Sequence, residues 1–201
     1  MALILCILLA QAQPPGPPPK PPAGPPGPPG GAAAVRAKII EIQPSGKLEE
    51  RVLRLARTYL DRSAGGSKNA FASNRDLVAA DALTHAAEHQ QHILKNAGPP
   101  PPPMDEIGRH LERVYFRLQQ ADYFVKQSAD PGAVQIAEFA REYYQRAVQA
   151  RDRSDASAAD ECAKSAEDSM RALESLAQAK AVGPPPPPPR PPGPPPPPRR
   201  P

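Results

Sequence analysis

Residues 104–129 read MDEIGRHLERVYFRLQQADYFVKQSA, and in this stretch Ile107, Leu111, Val114, Leu118, Ala121 and Val125 recur at alternating steps of four and three. That is the period of one face of an α-helix, with the charged residues on the other side. The same rhythm returns on both sides of it. Leu48, Val52, Leu55 and Tyr59 form one stripe, Ala79, Leu83, Ala86 and Ile93 a second, and Ala159, Cys162, Ala166, Leu173 and Ala177, with Met170, a third. No window alternates as a half-buried strand does. The reading is an all-α fold.

Turn signals divide the helices: Pro44-Ser45-Gly46, Gly65-Gly66-Ser67, Gly98 followed by five prolines, Asp130-Pro131-Gly132, and Ser154 to Ser157. They predict a short lead-in helix near 33–43 and longer ones near 47–64, 68–97, 104–129, 132–153 and 155–182. Asp130 before Pro131, Ser73 with Asp76, and Ser157 with Asp160 match helix-start patterns. Helices on short links are expected to pack as an up-and-down antiparallel bundle of about five helices. Seven of the nine aromatic residues lie between Tyr115 and Tyr144, which makes the segments 104–129 and 132–153 the expected packing centre.

The remaining chain is different in kind. Of the 32 prolines, 11 lie between Pro14 and Pro29 and 14 between Pro184 and Pro201. We therefore expect a Pro/Gly-rich spacer at 13–31, a helical body at 32–182 with an internal Pro-rich loop at 98–103, and a Pro/Arg-rich disordered tail at 183–201. Gly24, Gly27 and Gly30 fall three apart, but Gly16 breaks the strict period of a collagen helix. Eighteen residues of polyproline II span about 50 Å.

The formal charge of +4 is misleading as a total. Lys20, Arg190, Arg199 and Arg200 carry the surplus, while the other 21 basic residues are balanced by 21 acidic ones between Glu41 and Glu174. A neutral body with thinly basic ends lacks the dense cationic face that nucleic-acid binding needs. The apolar run Ala2–Ala10, with Ala10-Gln11-Ala12 after it, has the length and exit site of a secretory signal at 1–12 and is too short to span a bilayer. The expected location is secreted or periplasmic. Loss of Cys6 with that leader leaves Cys162 without an intramolecular partner, and its inward position fits a small buried hydrophobe.

Three of the four histidines, His85, His89 and His92, share one helical face within eight residues. Imidazoles one turn apart can reach a single zinc, nickel or copper ion. His110 is the expected fourth donor if the 98–103 tract folds the chain back so that it faces His92. His85-Ala86-Ala87-Glu88-His89 also matches the H-x-x-E-H pattern of inverzincin metalloproteases, with Glu88 as base and Glu161 or Glu167 as the distant ligand. That family needs sheet as well as helix. Covalent haem motifs, phosphate-binding glycine loops, nucleophile elbows and the Glu-x-x-His spacing of di-iron bundles are all missing.

The tail contains Pro-x-x-Pro-x-Arg twice, ending at Arg190 and Arg199, and with Arg200 it offers a stiff basic contact for a protein or an envelope surface. Phe116 and Tyr123 lie opposite the inward stripe of 104–129, beside Arg109 and Arg113, where a further helix is expected to cover them. The function expected from these features is an exported, non-enzymatic structural or protein-interaction module. The alternative is a divalent-metal buffer or sensor using His85, His89, His92 and His110.

Overall fold

The computed structural model describes residues 31–65, 70–95, 98–128 and 130–181. The expected leader, most of the amino-terminal spacer, and the tail with Arg190, Arg199 and Arg200 lie outside them. Among the described residues there are seven helices and no strand: α1 Gly31–Glu41, α2 Lys47–Ala64, α3 Ala70–Lys95, α4 Met104–Leu118, α5 Ala121–Ser128, α6 Ala133–Asp152 and α7 Ala156–Ala181.

The stripes become the core. Leu48, Val52, Tyr59, Leu83, Ile107, Leu111, Val114, Met170 and Leu173 are all buried, with Leu55 and Val125 partly so. The expected helix at 104–129 is two helices. Gln120 N–H donates to the Arg117 carbonyl at 2.9 Å, three residues back, and the ordinary spacing resumes with Phe124 N–H to Gln120. This tightened turn separates α4 from α5 and leaves Leu118 and Ala121 buried on either side. Gln119-Gln120 has no helix-breaking residue, so local propensity gives no signal for the interruption.

The helix starts also differ from the sequence patterns. Asp155, not Ser157, caps α7, its Oδ1 accepting from Ala158 N–H at 3.0 Å. Ser73 lies inside α3, and Asp76 instead takes a paired contact from the Arg62 guanidinium. Asp130 builds the turn before α6. Its Oδ1 accepts from Gly132 N–H at 2.8 Å and from the Tyr59 hydroxyl at 2.7 Å, and its Oδ2 accepts from Arg62 at 2.7 Å. Burial first, and then the Asp130 carboxylate, push the Tyr59 hydroxyl far above the ordinary phenol value.

The packing centre is α7 rather than the aromatic-rich segment. α7 lies against α3, α6, α5 and α4, while α2 packs on α3. Its inward face is built from Ala159, Ala163, Ser165, Ala166, Ser169 and Ala172, side chains small enough to let neighbouring backbones approach. The serines there return their hydroxyls to carbonyls, Ser165 to Ala86 at 2.9 Å and Ser169 to Ser165 at 2.8 Å. A second, smaller cluster of Ile107, Leu111, Ala147, Ala150 and Cys162 joins α4, α6 and α7.

Candidate functional site

α3 and α7 run in opposite directions. Ser175 meets Arg75 near one end of the pair, Ser165 meets Ala86 midway, and His92 meets Glu161 towards the other. Three residues apart on α3, His89 and His92 flank its buried stripe and project over α7. Both rings reach the same carboxylate oxygen: His89 Nδ1 lies 2.8 Å and His92 Nδ1 3.1 Å from Glu161 Oε2. Glu161 is only 3% exposed. Its other oxygen, Oε1, accepts from Lys164 Nζ at 2.9 Å, and that ammonium also pairs with Asp160. The far side of the His89 ring faces a second carboxylate, with Nε2 at 3.3 Å from Asp168 Oδ2.

Burial disfavours the charged form of His89, but the hydrogen bonds to Asp168 and Glu161 outweigh it and hold the imidazole above its ordinary value of 6.5. Burial likewise works against the Glu161 carboxylate, and Lys164, His89 and His92 together bring it below the ordinary 4.5. Ligand atoms of His89, His92 and Glu161 all fall within 4.8 Å of one another.

The four expected histidines do not converge. His85 is drawn to the carboxylates of its own helix, Asp81 at 3.7 Å and Glu88 at 3.4 Å. Glu88 is in turn held by Lys38 of α1 at 3.2 Å. The H-x-x-E-H residues therefore do not assemble as two ligands and a base. His110 is on α4, which leans on α7 and α6; its Nε2 lies 3.1 Å from Glu167 and its Nδ1 3.7 Å from Asp160. His110 and then Arg117 hold the Glu167 carboxylate below its ordinary value against the effect of burial. α4 and α3 each pack on α7, so the fold-back that would set His110 against His92 is replaced by two separate histidine–carboxylate contacts. Cys162 is buried beside Gln90, and burial pushes its thiol up, away from the reactive thiolate.

A second feature lies on the opposite side of α4. Among the described residues no helix covers Phe116 and Tyr123, which are 69% and 61% exposed, contrary to expectation. Phe116, Tyr115, Leu111, Gly108 and Glu112 of α4 line a cleft of about 550 Å³ with Tyr144 of α6. Tyr115 and Tyr144, ring centroids 6.0 Å apart, also border a neighbouring cleft of about 310 Å³ that ends at Asp122 and Arg141. Together the clefts form a groove crossed by an aromatic pair. Arg141 is paired with Asp122, and Arg151 at the other end with Asp152. Glu112 makes no ion pair among the described residues.

No protein-family model matches the chain, and neither a curated protein nor a solved structure matches it. The sequence located His89 and His92 from their spacing and named Glu161 only as one of two distant acids. Asp168 and Tyr144 carry no local signal, because each joins its site across a helix interface.

Proposed function

We propose that this chain is an exported, non-enzymatic interaction module. In it, an up-and-down antiparallel bundle of helices holds out the α4–α6 groove as a binding face for proline-rich polypeptide. The carrying observation is the aromatic row of exposed Tyr115 and Phe116 with half-buried Tyr144, of which Tyr115 and Tyr144 border both adjoining clefts. Polyproline II lays its rings between aromatic side chains at little ordering cost, and exposed apolar patches of this kind mark binding faces. Glu112 supplies a carboxylate for an arginine in the ligand. Segments of that chemistry occur in this chain itself, where Pro-x-x-Pro-x-Arg ends at Arg190 and at Arg199.

The test is a titration of a labelled peptide with the sequence of residues 184–201 into protein lacking that tail. Saturable binding that Tyr115→Ala with Phe116→Ala abolishes, at unchanged helix content, supports the reading; no binding, or binding indifferent to both substitutions, ends it. Export is tested separately by sequencing the amino terminus of the mature protein, which is expected to begin at Gln13.

A further inference from the structure

His89 has a carboxylate at each ring nitrogen, Glu161 at Nδ1 and Asp168 at Nε2. A carboxylate accepts and does not donate, so each nitrogen must present a positive centre, either a proton or a metal. His92 shares the first of these acceptors through its own Nδ1. Three donor atoms thus point at one small region, where Asp160, Glu161 and Asp168 stand around Lys164 and where Arg117, Arg171 and Glu167 border the adjoining cleft.

We propose that His89, His92 and Glu161 form a binding site for one divalent transition-metal ion of the zinc type, a function beyond the aromatic groove and independent of it. Two imidazoles and a carboxylate suit zinc, with nickel and copper as the nearest competitors; the hard cations calcium and magnesium prefer oxygen donors throughout. On binding, the ion takes the place of the protons on the two Nδ1 atoms: the His89 proton passes to solvent, and His92 coordinates as the neutral tautomer that carries its proton on Nε2. Lys164 occupies Oε1 of Glu161 and leaves Oε2, the atom both rings already address, as the ligand. His89 Nε2–H remains to donate to Asp168, the outer carboxylate that orients a metal-bound imidazole and strengthens it as a ligand. Three protein donors leave a coordination position for water or for a group on a partner, as in open zinc sites.

The donor set differs from the one the histidine pattern suggests, and the difference gives the experiment its power. Tag-free full-length protein, stripped with chelator, is titrated calorimetrically with zinc chloride. The expected result is one ion per chain, bound at about micromolar or tighter, with His89→Gln, His92→Gln and Glu161→Gln each abolishing it. Asp168→Asn should weaken it about 10- to 100-fold, while His85→Ala and His110→Ala leave it unchanged. Circular dichroism of each variant separates loss of a ligand from loss of fold. Cobalt(II) is the second probe, and an absorption band that disappears in Glu161→Gln reports the carboxylate in the coordination sphere. Flat heats with the full chain overturn the proposal, as does binding that His85→Ala or His110→Ala weakens as much as His89→Gln does.

Discussion

Gly132 has no room for a side chain. A Cβ there would run into the Tyr59 hydroxyl and stand 3.2 Å from both Asp130 Oδ1 and Leu55. The crowding is the result of a turn that gathers the Tyr59 hydroxyl, Arg62 and the Gly132 N–H around the Asp130 carboxylate. Gly132→Ala should lower stability by about 1–3 kcal/mol, read as a shift in the urea midpoint. Because the clash is with the hydroxyl, the double variant with Tyr59→Phe should lose less than the two single losses combined. His89 gives a second prediction at this scale. Its raised value means that its contribution to stability is fully present below 6.5, the unfolded value, and is lost as pH rises through the higher folded one. Glu161 is lowered, so its contribution is present above 4.5 and lost as pH falls through the folded value. Chelator-treated protein should therefore unfold at lower urea at pH 8.5 than at pH 5.5, and His89→Gln should shrink that difference. The histidine pair was legible in the sequence because its spacing lies within one helix. Glu161, about seventy residues away, required knowing which helix packs on α3, a matter of shape across an interface.

At the level of elements, periodicity marked the extent of most helices, because burial of one face leaves its period in the chain, but it ran α4 and α5 together as one. It did not give their ranking. Large aromatic side chains suggested that 104–129 and 132–153 form the centre, yet Tyr115, Phe116 and Tyr123 point outward and the centre falls to α7. The reason is close approach: Ala159, Ala163, Ala166 and Ala172 bring four helices near one axis, where bulkier residues would hold them apart. Enlarging that face should cost more than trimming the rim. Ala166→Leu is expected to destabilise by about 1–3 kcal/mol through overpacking, whereas Phe116→Ala, made at an exposed position, should stay within about 0.5 kcal/mol of the parent. Thermal melts of the two variants check the contrast.

Across the whole molecule, acidic and basic residues balance within the helical segments and the surplus charge lies beyond them. The groove with its aromatic row and the histidine cluster stand on different helix pairs, α4 with α6 and α3 with α7, and Arg117 of α4 borders the cleft beside His89. Substitutions at one should therefore leave the other's ligand affinity unchanged. The central α7 is joined to α6 by a tight turn in which Ser154 takes a left-handed conformation, with φ of 60°. A strut that touches four neighbours but is tethered by so little chain can be cut free. Two separately made pieces, one ending at Ser154 and one starting at Asp155, should reassemble on mixing into a helical complex with a cooperative melt, while the first piece alone should show none. Such conditional reassembly would turn this protein into a two-part reporter whose halves regain their structure only when they meet.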